Sequence, residues 1–316
     1  MKTATVQGRR SNRSVIHPIF AKHQTFHPRF GWLKKGVDKA DEDNQVFKKD
    51  SASVVLGVGK NMVKAIRYWC IAFKVVDEIK VEGNKSIHKP SRLAKNLLKE
   101  EGWDPYLENP GSLWLLHWNL FKSPCYAPSW HLAFNDFNQV EFTPEDLLFA
   151  LKEYKNRVFP SARASDSSFK KDVNCLLRMY VERINAKHIK EDSINCPFKE
   201  LGIITPYNNS KRYVFNFGTK PNLAPEIIVS ACLEFAHFFL DDSKTVSISR
   251  LLYDSGSPGQ IFKLTESSLC EAIEETTKYN GDVFLTDTAG MIRFGYSDEP
   301  LSISRNLLEH FYNEGK

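Results

Sequence analysis

Two glycines, Gly57 and Gly59, separate a short apolar stretch, Ala52 to Leu56, from a helically periodic run that begins at Lys60, and no other feature restricts the fold of this chain as much. A glycine break between two helical stretches predicts a helix-turn-helix. At about 100° per residue, Met62, Ile66, Trp69 and Phe73 share one face of the second helix and predict a buried stripe. Lys60, Lys64, Arg67 and Lys74 fall on the opposite face, with Asn61 beside them at the N-terminal end. An apolar face held by its own domain, a cationic face outward and an amide near the start have the chemistry of a recognition helix in a DNA groove. A surface helix that only faces water shows the same outward cations, so the pattern leaves both readings open. Beyond it, Ile79 to Val81 and Ser86 to Ile87 bracket Glu82-Gly83-Asn84-Lys85, the pattern of a short hairpin or wing.

Charge is distributed in agreement with the DNA reading. Residues 1–99 hold 15 Lys and 6 Arg against 8 Asp or Glu, a net of +13, which leaves −8 for the remainder of a chain whose formal total is +5. Concentrated positive charge is what phosphate binding requires, because each neutralised phosphate releases counterions. Residues 1–14, with Arg9, Arg10 and Arg13, read as a flexible basic arm. A hydrophobic content of 42% excludes a disordered chain. No apolar run reaches the roughly 20 residues of a membrane span, and the polar start is not a secretion segment, so the reading is cytoplasmic with no membrane partner. Six scattered cysteines, none in a Cys-x-x-Cys pair, predict reduced, mostly buried thiols and no structural zinc.

The 316 residues suit two or three units. The expected division is a basic winged-helix-like DNA-binding domain at 1–140, a helical middle region at 141–222 and a C-terminal helix-and-hairpin domain at 223–316. Residues 15–35 crowd aromatics, histidines and cations and should be packed, Asp38 to Asp50 reads as a polar connector, and a helix is expected around Ser91 to Glu101. Trp103, Trp114, Trp118 and Trp130 read as core before they read as a stacking platform. Thr143-Pro144-Glu145-Asp146 is a strong helix start, carrying a hydroxyl cap, proline and first-turn acids, and the helix should reach Val158. After a loop at Ser161 to Ser168, helices are expected at Phe169 to Ala186, Glu226 to Leu240 and Glu266 to Lys278. Strands are expected at Leu201 to Ile204, at Tyr213 to Phe217 and, after the Ser257-Pro258-Gly259 turn, at Ile261 to Leu264. Val283 to Leu285 and Met291 to Phe294 should form a hairpin. The fold class is therefore mainly α with small β-hairpins (α+β), with a winged-helix-like module at the N-terminus and a second one suggested at the C-terminus.

For chemistry, the best local assembly is His23 as base, or as acid to a leaving oxygen, with Arg29, Lys34 and Lys35 as a charge clamp on a phosphodiester transition state. An orienting histidine inside the aromatic block is an equal reading of His23. His17, His23 and His27 do not make a metal set, since Pro28 ends any helix through them and no carboxylate is near. Glu78-Ile79-Lys80, with Asp77 adjacent, has the acid-x-Lys spacing of a metal-dependent nuclease core, a three-residue match that occurs by chance in most chains. The expected catalytic residues are His23, Arg29 and Lys35. The expected DNA contacts are Lys60, Asn61, Lys64, Arg67, Lys34 and Lys74. No metal ligand is assigned.

His23-Gln24-Thr25-Phe26, Arg29, Gly31-Trp32-Leu33-Lys34-Lys35-Gly36, Leu56-Gly57-Val58-Gly59-Lys60-Asn61-Met62-Val63, Arg67-Tyr68-Trp69 and the Ser257-Pro258-Gly259 turn together resemble a bacterial family of unknown function. It is encoded beside sulfurtransferase-like proteins that place phosphorothioates in DNA, and it includes the B component of the Ssp phage-defence systems. The resemblance implies DNA binding and a nicking activity, a magnesium or manganese cofactor if the protein cuts, and partnership with sulfur-transfer and ATPase proteins, with a homodimer allowed. The family often reads Gly-His-Glu-Thr-Phe where this chain has Lys22-His23-Gln24-Thr25-Phe26, which puts a metal at this position in doubt. A non-catalytic DNA-binding adaptor that docks sulfur-transfer partners is the alternative, and a winged-helix transcriptional regulator a third.

Overall fold

Gly57 ends helix α2 (Ala52–Leu56) in the left-handed region, φ 62°, with its N–H on the carbonyls of Ser53 and Val54. Gly59 then caps α3 (Lys60–Ala72) in extended conformation, so the predicted break is present. The computed structural model describes residues 15–82, 85–182, 196–208, 211–239 and 243–314. The arm expected at 1–14, the wing-turn residues 83–84 and the end of the helix expected to reach 186 lie outside them. Along α3 the buried face is wider than a stripe: Val63, Ala65, Ile66, Tyr68, Trp69, Cys70 and Ala72 are all inside, with Met62 half-buried. Helix α1 (Trp32–Glu42) packs across α3 at Gly36, where a Cβ would stand 2.4 Å from Cys70 Sγ. Residues 38–42 thus continue a helix rather than begin the expected connector.

Strands β1 (Val76–Val81) and β2 (Lys85–Pro90) follow as an antiparallel hairpin, longer than the sequence predicts and paired from Val76↔Pro90 to Val81↔Lys85. The expectation for Lys74 is corrected here. Helix α3 stops at Ala72, Lys74 turns left-handed at φ 58°, and its Nζ donates to the Asn119 carbonyl at 2.7 Å. Burial lowers its pKa to about 8, so Lys74 is an internal lysine and not part of the outer cationic face.

The middle of the chain holds α4 (Arg92–Leu97), α5 (Pro110–Phe121), α6 (Pro128–His131) with its π-helical extension to Asp136, β3 (Glu141–Phe142), α7 (Pro144–Val158), α8 (Asp166–Tyr180), β4 (Ile204–Tyr207) and β5 (Arg212–Phe215). Helix α5 is buried on every side from Gly111 to Phe121, as expected of a helix apolar all round. Trp114, Trp118 and Trp130 are at most 4% exposed, so they are core. Thr143 and Asp146 form the reciprocal capping box that starts α7. The order β3-β5-β4 makes one antiparallel sheet, and β6 (Thr245–Ser247), β8 (Met291–Tyr296) and β7 (Val283–Thr288) make another.

Around that second sheet lie α9 (Pro225–Phe239), α10 (Ile248–Tyr253), α11 (Pro258–Phe262), α12 (Glu266–Thr277) and α13 (Pro300–Glu314). Residues 261–264, expected as a strand, instead close the helical turn of α11. Ser257 caps that turn, and Gly259 is pressed so close to α10 that a Cβ would lie 2.4 Å from Leu252 Cα. One hydrophobic cluster runs from Phe20 to Tyr312, through all three segments of the expected division, and a small second one joins Ala52, Leu56 and Val63. Among the described residues no helix is long and apolar enough to cross a membrane, and all six cysteines are unpaired.

Two lysines sit within this core without a carboxylate partner among the described residues. Lys263 Nζ donates to the Phe134 carbonyl at 2.7 Å and lies 4.7 Å from the centre of the Phe215 ring; Lys220 Nζ donates to the carbonyls of Gly218 and Lys263 at 2.7 and 2.9 Å. Burial pulls Lys263 down to about 7 and Lys220 to about 8. An unfolded lysine titrates near about 10.4, so between the two values the unfolded chain binds more protons and stability must rise with pH. In Lys263→Met, part of that rise should vanish when urea unfolding is compared near pH 7 and near pH 10. A variant whose stability climbs as steeply as the parent's would show that Lys263 keeps its proton.

A cationic cleft as candidate functional site

Residues 19–27 form no regular element, yet several hydrogen bonds tie them to distant parts of the chain. Asp172, 2% exposed on α8, accepts from Ala21 N–H at 2.8 Å and His23 Nε2 at 2.7 Å through one oxygen, and from the Ser129 hydroxyl at 2.6 Å through the other. Thr25 N–H donates to His23 Nδ1 at 3.1 Å, so the ring proton is on Nε2 and both nitrogens are engaged. The ring packs between Trp69 and Trp130, with centroids 6.1 and 5.7 Å away. Ala21, Gln24 and Thr25 take left-handed φ values of 55°, 52° and 70°, each costing on the order of 1 kcal/mol for a residue with a Cβ. The Asp172 bonds, together with Arg178 donating to the Thr25 carbonyl, offset that cost. His23 is turned inward by this geometry, while Lys22 and Gln24 reach the surface.

There they meet α3 and the hairpin at a cleft of about 450 Å³. Ile19, Lys22 and Gln24 come from the loop, Lys64, Arg67, Tyr68 and Ile71 from α3, Glu78 from β1, and Tyr126 from the turn before α6. Arg67 Nε donates to His88 Nε2 at 2.9 Å and its guanidinium pairs with Glu78, which also accepts from the Ser86 hydroxyl at 2.7 Å. Burial pushes Glu78 up, but Ser86 and Arg67 outweigh it and hold the carboxyl below its usual range. Burial and the neighbouring guanidinium lower His88, which stays a neutral acceptor. Tyr126 is fixed from behind by His17, stacked at 4.6 Å and 1°, while Tyr68 Oη donates to its carbonyl at 3.1 Å.

Of the expected DNA contacts, Lys60, Asn61 and Lys64 are exposed along α3, and Arg67 is half-buried in the cleft wall. Lys34 corrects the expectation of a clamp. Its ammonium is enclosed by Asp38 at 2.8 Å and Glu100 at 2.7 Å, so its charge is spent on carboxylates. Arg29 lies over the rings of Trp32 and Phe26 at 5.3 and 5.8 Å, and the exposed Lys35 donates to the Leu56 carbonyl at 3.2 Å. His23, Arg29 and Lys35 are thus engaged with separate partners and are not brought together at one point. Lys22, Gln24 and Tyr126 were not assigned from the sequence, because only the fold brings positions 22, 64 and 126 to one cleft. Glu78 carried a signal in its acid-x-Lys spacing.

Among the described residues no group of three or more His, Cys, Asp or Glu is placed to hold a metal. Among the described residues Glu78 is the one carboxylate in the cleft lining, and it is already bound by Arg67 and Ser86.

Fold and cleft together define a mainly helical α+β protein with a cation-walled opening on its basic third. Residues 20–312 match the family described as "Protein of unknown function (DUF4007)", and the chain belongs to that family. Among solved structures it is similar to a magnesium ion-bound SspB, at 35% identity and a TM-score of 0.88, and to a second SspB crystal structure, at 36% identity and 0.89. Each comparison covers 95% of this chain and 89% of the other. No protein of curated function matches significantly.

Proposed function

We propose that this chain is the DNA-binding and DNA-nicking component of an Ssp-type phosphorothioation and phage-defence system, acting in the cytoplasm beside sulfur-transfer and ATPase proteins. The observation that carries the proposal is that exposed Lys60 and Lys64 lie on the same helix that walls the cleft, with Lys22 and Arg67 completing a positive rim around the single carboxylate Glu78. The order α2, α3, β1, β2 supports reading this part as a winged-helix-like unit, with α3 toward DNA and the hairpin beside it. Lys22, Lys64 and Arg67 are chemically suited to a phosphodiester, since negative charge grows on its oxygens as the backbone is cut.

Purified protein incubated with supercoiled plasmid and magnesium or manganese should produce open circles, and a duplex should shift in a gel at physiological salt. Binding without any nicking would favour the alternative, a non-catalytic adaptor presenting DNA to sulfur-transfer partners, which the inward-turned His23 also suits. A protein that binds no DNA overturns both.

A further inference from the structure

We infer that the cleft receives one unpaired nucleotide of a DNA strand, with its base laid on Tyr126 and its phosphate held by Lys22 and Lys64; this rests on the DNA-binding reading above. A cleft of about 450 Å³ falls within the range of small-molecule sites and accommodates one nucleotide, not a stacked duplex. Tyr126 is part of the lining, and its ring is held in place by stacking on His17 at 4.6 Å and 1°. A held aromatic ring is what a base released from its stack can replace its lost neighbours with, whichever base it is. Lys22, from the loop, and Lys64, from α3, are both exposed in the lining, and Arg67 is half-buried and oriented by His88. Gln24, whose amide carries both donors and an acceptor, stands on the loop wall within the same lining and suits the edge of a base. The bonds of Asp172 to Ala21 and His23, and of Arg178 to the Thr25 carbonyl, keep this wall formed before any strand arrives.

The test compares a fully paired duplex with the same duplex carrying one unpaired nucleotide, with affinities measured by fluorescence anisotropy for the parent protein, Tyr126→Leu and Tyr126→Trp. The parent should favour the duplex with the unpaired nucleotide by about tenfold, Tyr126→Leu should lose that preference, and Tyr126→Trp should restore it. Equal affinity of the parent for both duplexes overturns the inference, as does a preference that survives in a folded Tyr126→Leu protein. Absence of binding to either duplex strikes instead at the DNA-binding reading, so the two failures are distinct.

Discussion

Asp172→Ala is expected to cost about 3–5 kcal/mol of folding free energy in urea titration. The carboxylate is the common acceptor for Ala21 N–H, His23 Nε2 and Ser129 Oγ, and it is 2% exposed. Each donor left without a partner in a dry site costs about 1–3 kcal/mol, and the left-handed residues 21, 24 and 25 lose the contacts that hold them. Asp172→Asn should be milder. Its carbonyl can still accept from the Ala21 amide and the imidazole, and the Ser129 hydroxyl can rotate to accept from the new amide. The loss should also reach the cleft, because Lys22 and Gln24 are displayed by that same loop. A cost below about 1 kcal/mol for the alanine variant would mean that the loop is held by its aromatic packing and not by Asp172.

The legible parts of this fold are those whose causes are local. Helix α3 is written in the spacing of Ile66, Trp69 and Phe73, its start in two glycines, and α7 in the hydroxyl and acids of its capping box. What stayed hidden depends on partners distant in sequence. The partner of His23, Asp172, lies 149 residues away, and Glu100, which joins Asp38 on the Lys34 ammonium, lies 66 away. Lys74 lies on the correct side of an idealised helix, but the real one ends before it. Residues 261–264 show why short apolar runs mislead, since periodicity cannot separate a strand from one turn of buried helix. Tyr126 had no signature at all. Its meaning comes from His17 stacked on it and Lys64 in the same cleft lining, neither of which is a sequence neighbour.

The double variant Lys60→Ala, Lys64→Ala should bind duplex DNA about fifty-fold more weakly than the parent near 0.1 M salt, with the slope of log affinity against log salt reduced by about 1.8. Each lysine that neutralises a phosphate contributes about 0.9 to that slope through counterion release, and two such contacts raised to about 0.1 M give the affinity factor. Both side chains are exposed, and neither makes a hydrogen bond or ion pair among the described residues. Their removal should therefore leave the melting temperature almost unchanged, which separates a lost contact from a lost fold. Lys34→Ala is the control that makes the measurement specific. It removes the ion pairs to Asp38 and Glu100, whose side chains are 32% and 66% exposed, and should leave the slope unaltered because that ammonium already serves two carboxylates. If Lys34→Ala lowers the slope while the α3 double variant does not, duplex DNA approaches α1 and not α3, and the helix after the glycine break is only a wetted surface.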